Sequence, residues 1–86
     1  MGYKIEYKAS VVKDLKRLPK ETIKRCLELI EEKLINNPFL GKPLKGKFKG
    51  LWSVRLGNYR IIYTIERQRE TILILGIAHR KESYRG

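Results

Sequence analysis

The stretch that decides the fold is GLWSVRLGNYRIIYTI, from Gly50 to Ile65. Two segments that alternate apolar and polar residues flank Gly57-Asn58, and both turn residues tolerate the positive φ that a two-residue primed turn requires. The pattern therefore predicts a β-hairpin, and a two-residue loop also fixes its register. The expected cross-strand pairs are Leu56 with Tyr59, Arg55 with Arg60, and Val54 with Ile61.

Alternation of side chains gives this hairpin an apolar face and a polar face. The apolar face, expected to build the core, holds Trp52, Val54, Leu56, Tyr59, Ile61, Tyr63 and Ile65. The polar face holds Ser53, Arg55, Arg60, Ile62 and Thr64. Two arginines directly opposite each other destabilise a sheet by up to ~1 kcal/mol, but a bound phosphate would turn their repulsion into attraction. The pair predicts an anion site, and the alternative interpretation is two solvated surface arginines.

The residues before the hairpin predict one strand and two helices. Alternation over Tyr3 to Tyr7 indicates a half-buried strand. Ser10 is placed to cap a first helix, and Pro19 is suited to the first position of a second. Apolar residues then recur at helical spacing up to Asn36-Asn37-Pro38, which is a clear stop signal.

The remaining segments complete an α+β pattern. Residues 39–50, rich in glycine and lysine, predict a basic loop. A polar turn around Arg67-Gln68-Arg69 precedes a strand from Thr71 to Arg80 that is apolar on both faces, as in a central strand. The order β-α-α-β-β-β predicts a two-layer fold with both helices packed on one face of a mostly antiparallel four-stranded sheet. The other face is then open to a ligand.

Size and charge narrow the class of protein. A length of 86 residues indicates a single domain over 1–86. Because Cys26 is the one cysteine, it cannot form an intrachain disulfide, and we expect it to be a small buried side chain. No apolar run approaches the ~20 residues that span a bilayer, so we expect a cytoplasmic protein without a membrane partner. The net charge of +11 is divided into +4 for residues 1–43 and +7 for residues 44–86, which favours a polyanionic partner near the hairpin.

The end of the last strand supplies one more charged group to the open face. A one-residue slip of register would exchange His79 for Arg80 on that face. Gly76 and Ala78 lie on the same side as Arg80, and small residues suit an open face better than a core. We therefore expect Arg80 inside the anion site and His79 near its edge.

The sequence resembles the RelE/ParE superfamily of toxin–antitoxin toxins over nearly its whole length. The likeness lies in the order of elements, Lys16 to Pro19, the GLW opening of the hairpin, Tyr59 to Tyr63, and His79-Arg80 with Tyr84. RelE-type members are endoribonucleases that cut mRNA in the ribosomal A site, whereas ParE-type members inhibit DNA gyrase. The resemblance implies the first activity, with a cognate RelB-like antitoxin as partner. The residues themselves include neither a Gly-rich phosphate loop nor a Ser/His/Asp arrangement, so no cofactor is expected. The alternatives are a gyrase inhibitor and a non-catalytic nucleic-acid-binding module.

The resemblance also implies roles for single residues. Arg60, Arg55 and Arg80 match the family's basic residues, and Tyr84 resembles the C-terminal aromatic residue that stacks on a base. The sequence departs from some bacterial relatives at Ser53, where they carry a lysine credited with proton abstraction.

Metal-free RNA cleavage needs a proton acceptor for the 2′-hydroxyl, positive charge on the phosphorane and a donor to the leaving 5′-oxygen. The three arginines can supply the charge but are poor bases. The acceptor is open between His79 and one lysine of the basic loop, namely Lys45, Lys47 or Lys49. These lysines and Arg85 are also the expected RNA-binding residues. No cluster has metal-ligand spacing, so no metal is expected.

Overall fold

The computed structural model describes residues 2–79 of the chain. Its strands and helices, in chain order, are β1 (Lys4–Tyr7), α1 (Ala9–Lys16), α2 (Lys20–Glu28), β2 (Lys42–Pro43), β3 (Leu51–Leu56), β4 (Tyr59–Glu66) and β5 (Thr71–His79). The helix α2 continues as a π-helical segment, Leu29–Leu34, and short 3₁₀ turns span Pro38–Leu40 and Gly46–Phe48. No helix within this part of the chain is long and apolar enough to cross a membrane.

The sheet has five strands in the order β1-β5-β4-β3-β2. All neighbouring strands are antiparallel except β1 and β5, which are parallel. The α+β class and the mostly antiparallel pairing are confirmed, but the prediction of four strands was one short. The fifth strand, β2, lies within the predicted basic loop and places Lys42 opposite Ser53 and Pro43 opposite Trp52. Two residues leave no periodicity to detect, and proline is tolerated there because β2 is an edge strand.

The core lies between the helices and one face of the sheet. Its fully buried helical residues are Val11, Cys26, Ile30 and Leu34. The sheet contributes Val54, Ile61, Tyr63, Ile72 and Ile74 to the same cluster. The predicted apolar face of the hairpin is thus the face that the helices cover. Burial raises the pKa of the Cys26 thiol, which keeps it protonated and suits the predicted role of a small core residue.

The helix α1 starts two residues before its predicted start, and α2 starts one residue after its predicted start. The helix α1 begins at Ala9 with Lys8 at the N-cap and without a side-chain cap, so Ser10 does not cap it. The Lys8 N–H donates to the Ile74 carbonyl at 3.0 Å, which ties the entry of the helix to β5. Pro19 is the N-cap of α2 rather than its first residue, and its carbonyl accepts the first helical hydrogen bond from the Ile23 N–H at 3.0 Å.

The β3–β4 hairpin has the predicted register. Arg55 pairs with Arg60, and Leu56 pairs with Tyr59. Gly57 has a φ of 57°, the only positive value in the turn, as in a type II′ turn that begins with glycine.

The β4–β5 pairing contains a β-bulge. Ile62 pairs with Gly76 and Tyr63 pairs with Ile74, which leaves Leu75 as an extra residue on β5. The bulge shifts the alternation of β5 by one residue, so Ile74 packs in the core while Gly76 lies on the open face.

Candidate anion-binding site

The centre of the site is the pair Arg55 and Arg60, which lie on neighbouring strands and on the sheet face away from the helices. Both side chains are exposed, and they occupy opposed positions in the register. Within residues 2–79, the ion pairs are those of Arg69 with Glu6 and Glu66, and neither hairpin arginine forms one. The two guanidinium groups are therefore available to an anion.

A shallow cavity of about 420 Å³ opens beside the two arginines. Besides Arg55 and Arg60, its wall includes Leu40, Gly41, Lys42 and Ser53. No carboxylate of the described residues lines it, so the charged side chains in its described wall are all cations.

Tyr63 and Gly41 fix the wall of this cavity. The Tyr63 hydroxyl donates to the Pro38 carbonyl at 2.8 Å and accepts from the Gly41 N–H at 3.0 Å. A Cβ atom at position 41 would lie 2.5 Å from the Ser53 carbonyl oxygen and 2.8 Å from the Tyr63 hydroxyl, so only glycine fits there. Burial raises the pKa of the Tyr63 hydroxyl. The sequence predicted Tyr63 only as a core residue. Its hydroxyl also hydrogen-bonds to the cavity wall and so links the core to the candidate site.

The chain segment beside the cavity also carries exposed apolar surface. Phe39 is 46% exposed and Leu40 42% exposed. The Phe39 ring packs edge-on against Trp52, with the ring centroids 5.4 Å apart, and the Arg67 guanidinium lies 5.3 Å from the Phe39 ring centre. The Phe39 ring thus holds this segment against the sheet through exposed aromatic contacts, and the Tyr63 hydroxyl holds it through buried hydrogen bonds.

His79 lies on the other face from the two arginines. It pairs with Tyr59, and its ring meets the Tyr59 ring at a centroid distance of 5.1 Å and an angle of 83°. Ala78 is the residue that pairs with Arg60 and shares its face. The expected placement of Gly76 and Ala78 on the open face is thus observed, while His79 stands on the reverse side of β5.

The remaining predicted site residues are not brought together with the arginine pair. Lys45, Lys47 and Lys49 are exposed, within and beside the second 3₁₀ turn, and do not line the cavity. Lys42 does line the cavity. The sequence did not predict this residue for the site, because only the pairing of β2 with β3 determines which sheet face Lys42 lies on.

The predicted residues Arg80, Tyr84 and Arg85 lie outside the described residues. For residues 2–79, no group of three or more His, Cys, Asp or Glu side chains could hold a metal ion.

Known proteins match this architecture along nearly the whole chain. The family model described as "ParE toxin of type II toxin-antitoxin system, parDE" matches residues 5–84. Toxin RelE of Mycobacterium tuberculosis is 40% identical over 84 residues, covering 96% of this chain and 87% of the relative. Toxin RelG of the same organism is 33% identical over 86 residues, covering 99% of both. The chain therefore belongs to the RelE/ParE superfamily of type II toxin–antitoxin toxins, as the resemblance implied.

Solved structures support the same assignment. A chain of the RelBE2 toxin–antitoxin complex from Mycobacterium tuberculosis superposes with a TM-score of 0.88 at 31% identity, covering 93% of this chain and 100% of that one. A chain of the archaeal RelE–RelB complex from Pyrococcus horikoshii OT3 gives 0.73 at 33% identity, with 96% and 100% covered. A mutant of the E. coli toxin RelE in the free state gives 0.80 at 15% identity, which shows the shared fold alone; it covers 96% and 88%.

Proposed function

We propose that this chain is the toxin of a type II toxin–antitoxin system and that it cleaves mRNA on the ribosome. The observation that carries the proposal is the pairing of Arg55 with Arg60 on the sheet face away from the helices, beside a cavity that no carboxylate of residues 2–79 lines. The relatives named RelE and RelG, at 40% and 33% identity, support the RelE type of activity.

The proposed reaction is an attack of the 2′-oxygen on the adjacent phosphorus. The 2′-hydroxyl gives its proton to a general base, for which His79 and one of Lys45, Lys47 or Lys49 are the candidates. The 2′-oxygen forms a bond to phosphorus, the bond to the 5′-oxygen breaks, and that oxygen takes up a proton from the protonated base or from water. The products are a 2′,3′-cyclic phosphate and a 5′-hydroxyl. Arg55 and Arg60 stabilise the charge that develops on the phosphorane, because guanidinium groups stay protonated and donate paired hydrogen bonds.

The C-terminal residues complete this proposal. Arg80 supplies a third charge to the phosphate, and Tyr84 stacks on a base, a contact worth ~1–3 kcal/mol in single-strand binders. Arg85 contacts the RNA backbone with Lys45, Lys47 and Lys49.

We also propose an antitoxin as the partner of this chain. The solved relatives include toxins in complex with RelB antitoxins. A net charge of +11 is self-repulsive, and an acidic partner segment would relieve it while it screens the arginine pair from RNA.

The test is Arg60→Ala in a reconstituted translation reaction with mapping of the mRNA 5′ ends. We expect the cleavage rate to fall by ~10²–10³, the scale seen when one preorganised donor to a developing charge is removed. Arg17→Ala is the matched control, because Arg17 is exposed at the end of α1 and does not line the cavity. Full activity of Arg60→Ala would refute the proposed site.

Inhibition of DNA gyrase is the second candidate function. The description of the matching family model, a ParE toxin, favours it. Expression of the chain without a partner separates the two candidates. Loss of amino-acid incorporation with mRNA ends inside codons supports the nuclease, whereas continued incorporation with accumulating DNA breaks supports the gyrase inhibitor.

A further inference from the structure

The edge strand β2 brings a third cation to the face of the hairpin arginines. Lys42 is directly opposite Ser53, and directly paired residues of an antiparallel pair point to the same side. Ser53 is two positions from Arg55 and therefore shares its face. Lys42 and Arg55 are thus diagonal neighbours, whose Cβ atoms lie ~7–8 Å apart in such pairs and whose long side chains can reach a common ligand.

The cavity connects Lys42 to the arginine pair. The same depression of about 420 Å³ is lined by Lys42, Ser53, Arg55 and Arg60. Ser53, which is opposite Lys42 and two positions from Arg55, lines the same depression and has a small side chain. The three cations therefore face one continuous volume.

No negative charge of the described residues balances this group. Lys42, like the arginines, forms no ion pair within residues 2–79, and no carboxylate lines the cavity. Three cations around one volume repel each other, and a polyanion placed there converts the repulsion into attraction.

The backbone that leads into Lys42 is also closely packed. Gly41 precedes it and is clamped between the Ser53 carbonyl and the Tyr63 hydroxyl, where a Cβ atom would collide with both. A lysine that only protects a sheet edge from pairing with another strand needs no such packing, and the adjacent Pro43 already blocks that edge.

We propose that Lys42 binds the RNA phosphate next to the one held by Arg55 and Arg60. The single strand then runs over the open face from the hairpin arginines, across Ser53, to β2. This inference rests on the proposed function, since it takes RNA as the substrate, and it adds a binding residue on a strand that the sequence did not reveal.

The test measures binding of the full chain to a short single-stranded RNA whose 2′-oxygens are methylated, so that it cannot be cleaved. The dissociation constant is determined by fluorescence anisotropy over a range of salt concentrations. Each phosphate contact contributes ~0.7 to the slope of log K against log salt for single strands. We expect Lys42→Gln to reduce the magnitude of the slope by ~0.7 and Lys42→Arg to retain it.

Lys24→Gln is the matched control, because Lys24 is exposed on α2 and the substitution removes the same net charge. If Lys42→Gln and Lys24→Gln change the slope equally while Arg60→Ala reduces it further, the proposed track over β2 is wrong and the arginine site stands. If Lys42→Gln alone reduces the slope and Arg60→Ala leaves both binding and ribosomal cleavage unchanged, the lysine contact stands and the proposed catalytic site is wrong.

Discussion

The two faces of the sheet use neighbouring residues of the same strand for different purposes. On β4, Ile61 is fully buried in the core, and the preceding residue, Arg60, is exposed on the open face. The helices cover the first face, while the second carries two arginines that form no ion pair within residues 2–79. Changes on the covered face should therefore cost stability and changes on the open face should cost function, even one residue apart.

Ile61→Ala should give the largest loss of stability. The substitution removes buried methyl groups from the cluster with Ile72 and Ile74, and such changes cost ~2–5 kcal/mol because the cavity collapses only in part. The free energy of unfolding is measured by urea denaturation.

Two further variants serve as controls for Ile61→Ala. Ile61→Val keeps most of the side chain and should cost only ~0.5–1.5 kcal/mol. Arg60→Ala should leave the fold at least as stable as the original chain, since it removes one of two opposed like charges. A large loss of stability in Arg60→Ala would show that the two faces are not separable in this way.

The hairpin could be predicted from the sequence, but the β-bulge in β5 and the edge strand β2 could not. A two-residue turn at Gly57 fixes a local register, so the pairing of Arg55 with Arg60 follows from residues a few positions apart. The bulge at Leu75 and the pairing of Lys42 depend on contacts between distant segments. Leu75 has no distinguishing chemistry in an apolar run, and its effect is to place Ala78, not His79, beside the arginines.

The start of α1 at Ala9 could not be predicted from the local sequence either. Ser10 is a good capping residue, but the hydrogen bond from Lys8 to Ile74 sets where the chain turns into the helix. Tertiary contacts here override a local preference.

Tyr63→Phe should affect both the core and the cavity wall, because Tyr63 contributes to both. Its ring is in the core, and its hydroxyl holds Pro38 and Gly41 at the cavity wall. The variant leaves a carbonyl and an N–H without their partner, which should cost ~1–3 kcal/mol of unfolding free energy. Tyr59→Phe is the control, since it removes a tyrosine hydroxyl from the same strand outside the core cluster.

The contribution of the Tyr63 hydroxyl should also depend on pH. Burial raises its pKa, so the stability linked to the protonated group is fully present below the ordinary value of about 10 and is lost as the pH rises through the folded-state value. The difference in stability between the original chain and Tyr63→Phe should therefore shrink above about pH 10. A difference that is constant up to strongly alkaline pH would contradict the burial of this hydroxyl.

The smallest expected effect comes from the open face, where Arg55→Thr should stabilise the chain. Threonine suits a strand, and the substitution removes the repulsion between opposed arginines, worth up to ~1 kcal/mol. Lys4→Thr on β1 is the matched control, because it lowers the net charge equally but Lys4 pairs with Thr71 and not with a cation. Added salt screens exposed charges, so the advantage of Arg55→Thr over Lys4→Thr should be largest at low salt and should decline as salt is added. Equal stability of the two variants at low salt would mean that the arginine pair carries no strain for a phosphate to relieve.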